Sequence, residues 1–228
     1  IIDNTSSRGR TLRFLYDGSY EEFKQTLYRL GETPLPRWVR KVVEPEDTER
    51  YQTIFAEKEG AVVAPTAGMH FSKHLLKWME IEGIERTFIT LHAGLGNFRS
   101  VDVEDLSKHK VDSEQYFVSE QAAEEINSAK RDGHKVVAIG TTVMRTLETV
   151  VSTHGMVKPQ NGWTNKFIFA PYDFTVADAM VSNLHLPEST QLMMVAAFGG
   201  YEKVMNAYAV AVEEGYRFGT YGDAMLIL

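Results

Sequence analysis

The chain has 228 residues, 43% hydrophobic and 24% charged, with 17 Gly, 7 Pro and no Cys, a composition that excludes collagen-like, disordered and disulfide-scaffold classes. No stretch approaches the ~20 consecutive apolar residues of a membrane-spanning helix, and the lack of Cys excludes disulfides, thiolate nucleophiles, iron–sulfur clusters and the usual structural zinc sites. The formal net charge of −7 argues against a general nucleic-acid coat, and a Cys-free chain fits a reducing compartment, so a cytoplasmic location without a membrane partner is expected.

The chain opens Ile1-Ile2-Asp3, with neither an initiator Met nor a signal-peptide pattern, so the natural N-terminus is expected to be missing. Residues 8–41 carry eight basic and four acidic side chains, which makes this segment +4 and the remainder −11. Arg10, Arg13, Arg37 and Arg40 lie in it and are candidate contacts to a polyanion. Thr11–Leu15 is strand-like, Asp17-Gly18 a turn and Tyr20–Leu30 helical. We read residues 1–30 as the remnant of a small β-rich domain with its linker, and 31–228 as a large α/β domain.

Beyond residue 60 short apolar runs alternate with helical patterns. Strands are expected at Ala61–Pro65, Thr87–Leu91, Lys135–Ile139, Lys166–Ala170, Ala177–Ser182 and Ala224–Leu228. Helices are expected at about Phe71–Glu82, from an N-cap at Ser119 through Lys130 with Gly133 as the stop, from Gly140 to about Val151, and at Thr190–Phe198 and Tyr201–Glu214. This alternation predicts an α/β core with parallel strands, whose ligands bind where the strands end and the loops begin.

Neither a G-x-G-x-x-G nor a G-x-x-x-x-G-K-[ST] phosphate loop is present, nor a G-x-S-x-G elbow. His70 and His74 stand at i,i+4 with no third ligand in sight, so no metal is expected. Several loops do carry chemistry. Thr66, Gly68 and His70 sit between a strand and a helix N-terminus, where free N–H groups suit a ligand oxygen or make a tight turn. His92 followed by Gly94 and Gly96 offers a base, or a satisfied core histidine, beside backbone that a ligand can approach. Thr141 and Thr142 open a helix, with Arg145 and Glu148 as a ligand site or an i,i+3 surface pair. His109-Lys110-Val111-Asp112-Ser113-Glu114 suits proton transfer if two of its groups converge, and is otherwise a solvated loop. In the extended run Asn183–Thr190, Asn183 and His185 at i and i+2 point to one side.

Gly31-Glu32-Thr33-Pro34-Leu35-Pro36, Glu49-Arg50-Tyr51-Gln52-Thr53, Ala64–Phe71, Thr90–Gly96, Gly140–Glu148, Ser182–Thr190 and Tyr216–Met225 occur in the order of one family. Together they make the chain resemble the S-adenosylmethionine:tRNA ribosyltransferase-isomerases of queuosine biosynthesis. The resemblance implies a mixed α/β domain with partial (β/α)-barrel character and a smaller β-barrel domain, which is incomplete here because family members are longer. It also implies transfer and isomerisation of the ribosyl group of S-adenosylmethionine onto 7-aminomethyl-7-deazaguanine in the tRNA anticodon loop. Epoxyqueuosine-tRNA results, with release of adenine and methionine and without a metal. A base near neutral pKa is wanted, for which His92, Glu114 and His185 are the candidates. Thr66, Gly68, His70, Gly94, Gly96, Thr141, Thr142, Arg145 and Asn183 are expected to line the cofactor. Asp223 would hold its amine or ribose hydroxyls, and Phe98 and Tyr221 would stack on adenine, face the sulfonium or simply pack in the core. A monomer or weak homo-oligomer is expected.

The chain departs from the family pattern at Asp112, where a second imidazole is usual, and at Glu188, where Lys is usual; it also has Leu184 for Phe, Ala170-Pro171-Tyr172 for a Pro-Gly-Tyr turn and Gly219-Thr220 for Phe-Ser. Two other readings accommodate these changes: a divergent paralogue that uses S-adenosylmethionine with another RNA or nucleoside acceptor, and a non-catalytic RNA- or nucleoside-binding module.

Overall fold

The structure is a computed structural model that describes residues 12–39 and 41–228. It divides into two units, the first ending at Tyr51 and the second beginning at Gln52, so the division falls beyond the boundary read at residue 30.

In the first unit, α1 (Tyr20–Leu30) begins with a capping box: the Glu22 backbone N–H donates to Ser19 Oγ at 3.3 Å and the Ser19 N–H donates to the Glu22 carboxylate at 2.7 Å. The Tyr16 ring stacks on Phe23 with centroids 4.3 Å apart. After an extended run, α2 (Asp47–Arg50) is tied down by the fully buried Asp47, which pairs with Lys41 Nζ at 2.8 Å and accepts from the Glu44 N–H. Among the described residues of this unit no strand forms, so the strand expected near Thr11–Leu15 is absent over 12–15. Arg13 and Arg37 are exposed; Arg10 and Arg40 lie outside the described residues.

The second unit is mixed α/β. Its helices are α3 (Lys73–Ile81), α4 (Glu120–Arg131), α5 (Thr141–Val150), α6 (Thr190–Gly199) and α7 (Tyr201–Glu213). Strands β1 (Thr90–His92), β2 (Glu114–Val118) and β4 (Gln160–Thr164) form an antiparallel sheet in the order β1-β2-β4. A second sheet has the order β3-β5-β6, from β3 (Val137–Ile139), β5 (Ala179–Asn183) and β6 (Ala224–Ile227). Only β3 and β5 are parallel among the described strands; β6 runs antiparallel to β5. The expected parallel core is thus corrected to one parallel pair and a separate antiparallel sheet.

The differences have local causes. β2 begins in the segment read as a polar loop because Glu114 looks solvated in sequence, yet Glu114, Tyr116 and Val118 alternate inward and are all buried. β4 has no apolar run. It forms by pairing along all five residues of β2, and it carries Gly162 opposite Tyr116, where a Cβ would stand only 2.9 Å from the hydroxyl. Ala61–Pro65 makes no ladder: the N–H groups of Val62 and Val63 both turn to the one carbonyl of Ala93, at 2.8 and 3.1 Å. Lys166–Ala170 is not a strand either; Ile168 is buried as a single anchor, while Phe167 and Phe169 pack on each other at 4.9 Å.

Between the sheets and helices lies one apolar cluster, from Tyr116 and Val118 on β2 through Ala122 and Ile126 on α4, Met144 and Leu147 on α5, Met180 on β5, Val195 on α6 and Tyr208 on α7. Each large side chain buried there contributes roughly 1.5–3 kcal/mol of transfer free energy. Ser119 caps α4 by accepting from the Ala122 N–H at 3.1 Å, as its sequence position predicts. From the same helix the Asn127 amide brackets Val157, donating to its carbonyl at 2.9 Å and accepting from its N–H at 2.8 Å. Among the described residues no helix is long and apolar enough to cross a membrane.

Candidate active site

The carboxyl ends of the parallel strands gather several of the loops singled out in sequence. Gly140 follows β3 with φ +98, a conformation open to glycine, and its N–H donates to the Val181 carbonyl at 2.8 Å before α5 starts at Thr141. A Cβ on Gly140 would touch Ala67 at 3.4 Å, so the 3-10 turn Thr66–His70 lies against this helix start. Gly68 is pressed on Thr53, where a Cβ would come within 3.0 Å. Thr66, Gly68, Thr141 and Thr142 therefore belong to one region, with His70 at its exposed rim. At the end of β5, Asn183 is 2% exposed; its Nδ2 donates to the Gly219 carbonyl at 3.2 Å, while its Oδ1 is buried without a partner.

Helix α5 carries the next layer. Arg145 and Glu148 are both buried and turn to different partners, so they form neither the surface pair nor the joint site considered from their spacing. Arg145 Nη2 donates to Glu114 Oε2 in a close ion pair. Glu114 Oε1 accepts from the Gly94 N–H at 2.7 Å and from the Asn97 amide at 2.5 Å. Asn97 in turn donates to the Gly94 carbonyl and accepts from the Gln191 amide at 3.1 Å, which links the Gly94–Asn97 turn to α6. Arg145 Nε is buried with no acceptor. Glu148 instead accepts from the Thr175 and Val176 N–H groups, the Thr175 hydroxyl and the Tyr172 hydroxyl, fastening the 172–176 loop. Burial and the Glu148 charge together push the Tyr172 hydroxyl well up from its ordinary range.

The residues 109–114 do not converge on one another. The His109 ring packs on Phe167 at 5.1 Å, Asp112 pairs with Arg99 at 3.0 Å and Glu114 with Arg145. Arg99 thus offsets the negative charge by which Asp112 departs from the family pattern. A Cβ on Gly96 would strike Asp112 Oδ2 at 2.9 Å, so that glycine serves close packing of its own turn. Glu188 is exposed with φ +59, and its carbonyl accepts from the Val101 N–H at 2.7 Å.

His185 is partly buried, its Nε2 lies 2.8 Å from Ser182 Oγ, and its backbone N–H donates to the Tyr208 hydroxyl at 2.9 Å. Burial pushes its imidazole down to about 4, so it is neutral at pH 7. Asp223 closes a turn by accepting from the Arg217 N–H at 2.7 Å. Tyr221 is half-buried on that turn and Phe98 ends the turn after Gly94. Asn183 and His185 thus serve different partners despite their i,i+2 spacing.

His92 has another setting. It lines an open cleft of about 300 Å³ with Gly60, Gly94, Asp112, Glu114, Gln115 and Trp163. Gly60, at φ +141, lies against the imidazole: a Cβ there would stand 2.8 Å from Nδ1, which leaves Nε2 as the ring nitrogen farther from it. The ring also meets Phe117 edge-on at 5.9 Å. Among the described residues no group of three or more His, Asp or Glu side chains is placed to hold a metal ion. Sequence reasoning did not identify Gly60, Asn97, Gln115, Trp163 or Gln191; only Asn97, directly after the two glycines, had a signal of its own.

Two predictions follow from these settings. Glu114→Gln leaves the Arg145 charge buried without its counter-ion and should lower stability by about 3–5 kcal/mol in urea unfolding, whereas the double change Glu114→Leu with Arg145→Met should recover most of that loss. Because His185 titrates lower folded than unfolded, the unfolded chain binds the extra proton, and stability should fall as pH drops from about 6.5 towards 4. His185→Gln should flatten the pH dependence of Tm in that window relative to wild type.

Comparison with known proteins places this architecture. Residues 1–227 match the family model described as queuosine biosynthesis protein. Proteins named S-adenosylmethionine:tRNA ribosyltransferase-isomerase from Phocaeicola vulgatus and Bacteroides fragilis are 66% and 67% identical over all of this chain. The chain spans 65% of the length of each. A crystal structure of S-adenosylmethionine tRNA ribosyltransferase from Thermotoga maritima superposes with a TM-score of 0.60 and 38% identity, covering 72% of this chain and 52% of that one. The chain belongs to the queuosine biosynthesis protein family.

Proposed function

We propose that the chain forms the catalytic part of an enzyme that transfers and isomerises the ribosyl group of S-adenosylmethionine onto 7-aminomethyl-7-deazaguanine in the tRNA anticodon loop, giving epoxyqueuosine-tRNA. The observation that carries this reading is the 66–67% identity, over the whole chain, to proteins named for that activity. In the complete protein we infer a partial (β/α) barrel, which the β3–α5–β5 parallel crossover supports, and a separate small β-barrel domain. A cytoplasmic monomer or weak homo-oligomer that needs no metal accords with this reading.

The residues present fit S-adenosylmethionine on two counts. Arg145 Nε and Asn183 Oδ1 are a buried donor and acceptor without partners, suited to a ligand carboxylate and to a hydroxyl or amine. Gly140 holds the start of α5, with Thr141 and Thr142, close against Ala67 of the Thr66–His70 turn, which also carries Gly68. His70, Gly94, Gly96, Phe98, Tyr221 and Asp223 complete the proposed lining. When bound, the cofactor supplies a ribosyl group activated by its neighbouring sulfonium.

His92 is the proposed base, accepting a proton at Nε2 inside the cleft. Glu114, whose two oxygens are held by Arg145, Gly94 and Asn97, positions the turn that follows His92. His185, neutral and bonded to Ser182, orders the end of β5. Arg10, Arg13, Arg37 and Arg40 are proposed as phosphate contacts.

Mass spectrometry of full-length protein with S-adenosylmethionine and tRNA carrying the aminomethyl-deazaguanine base should show adenine and methionine appearing in step with an oxirane-bearing nucleoside. His92→Ala should lower kcat by about 10²-fold or more while cofactor affinity changes little. Cofactor bound with tRNA unchanged would instead favour the paralogue with another acceptor, and binding without adenine release under any acceptor the non-catalytic module. Replacing the four arginines by Ala should weaken tRNA binding and reduce its log–log salt slope by up to about 3.5, the ~0.7–0.9 per phosphate contact summed over the set; an unchanged slope would discard that patch.

A further inference from the structure

The antiparallel sheet β1-β2-β4 has two unlike faces. Leu91, Tyr116 and Gly162 align across it toward the core. On the other face the register aligns His92 with Gln115 and Gln115 with Trp163, one residue from each strand. Trp163 is 66% exposed, a large apolar area to leave in water on a paired strand. Phe117 stands on the same face, with Lys58 Nζ over its ring at 5.9 Å. Among the described residues none hydrogen-bonds the Gln115 amide, the Trp163 indole N–H or the His92 ring nitrogens.

We propose that this row is a nucleobase seat: one RNA base stacks on Trp163 above Gln115, with its polar edge turned to the Gln115 amide and to His92. The dimensions suit it. His92 and Trp163 are separated by two inter-strand spacings, about 9.5 Å, with Gln115 between them. A cleft of about 300 Å³ is at the small end of ligand sites, the scale of one ring system. The chemistry suits it too. An exposed aromatic, an amide able both to donate and to accept, and a nearby cation are how single-stranded RNA bases are held. Of the three carboxylates that line the cleft, Asp112 is paired with Arg99 and Glu114 with Arg145; Glu59 is the third. Lys58 stands at the edge of the face, where a flanking phosphate would pass.

This inference rests on the RNA acceptor proposed above and goes further by assigning the place and the contacts of the base. The acceptor base and S-adenosylmethionine would meet at His92 and Gly94, which the cleft shares with the proposed cofactor lining.

The test is binding of an anticodon stem-loop RNA with 2-aminopurine at the modified position, by wild-type protein and by Trp163→Ala, Trp163→Phe and Gln115→Ala, with S-adenosylmethionine affinity measured on each. Trp163→Ala should raise the RNA Kd about tenfold or more and abolish the stacking change in 2-aminopurine fluorescence, with the salt slope unchanged. Trp163→Phe should retain most of both signals, which sets lost stacking apart from lost folding, and Gln115→Ala should weaken binding while keeping the quench. Cofactor affinity should be the same in all four proteins. Wild-type RNA affinity in Trp163→Ala, or a loss of cofactor affinity in its place, overturns the seat and leaves the proposed reaction standing. Failure of the wild-type protein to bind the stem-loop while it binds cofactor overturns both.

Discussion

The buried pairing of Glu114 with Arg145 is the constraint on which the geometry of the second unit depends. A charge pair taken out of water must satisfy nearly every remaining lone pair and proton, or the desolvation cost exceeds the Coulombic gain. Glu114 does so by drawing in the Gly94 N–H and the Asn97 amide, and Asn97 draws in Gln191 from α6. One carboxylate thereby ties the antiparallel sheet, the turn after His92, α5 and α6 to a common point. Apolar packing alone is non-directional and would hold the same elements together without fixing that turn to within a hydrogen-bond length.

The same argument distinguishes the groups that hold the structure from those free to meet a ligand. Glu148 and His185 each spend their polar atoms on neighbouring segments: Glu148 on residues 172–176 and His185 on Ser182. His92, Asn183 Oδ1 and Arg145 Nε do not. Asn183 stands at the end of β5, whereas Arg145 holds Glu114 at the cleft onto which His92 opens.

How much of this was legible in the sequence depended on whether the cause was local. Capping residues and 3.6-residue periodicity are local, and Ser119 with α4, Gly140 with α5, and α1 over Tyr20–Leu30 lie where the sequence puts them. β2 and β4 were hidden because their stabilisation is not local. Glu114 is a charged residue that becomes an interior one only once Arg145, thirty-one positions away, is beside it. Gly162 enters a strand through its pairing with β2, and is glycine where a Cβ would strike the Tyr116 hydroxyl. The site divides in the same way. Motif residues such as His92 and Asn183 stand out by type, whereas Gln115 and Trp163 acquire meaning only through a cross-strand register that no single-strand pattern encodes.

Gly60 carries one consequence for reading other members of the family. Its backbone, at φ +141, rests against the imidazole of His92, and any other residue would both strain the chain and push the ring aside. Position 60 is therefore an indirect record of how that imidazole is held. A relative that keeps the histidine but carries a side chain at the equivalent of Gly60 would have its ring turned differently, so that one residue predicts the ring's orientation across the family.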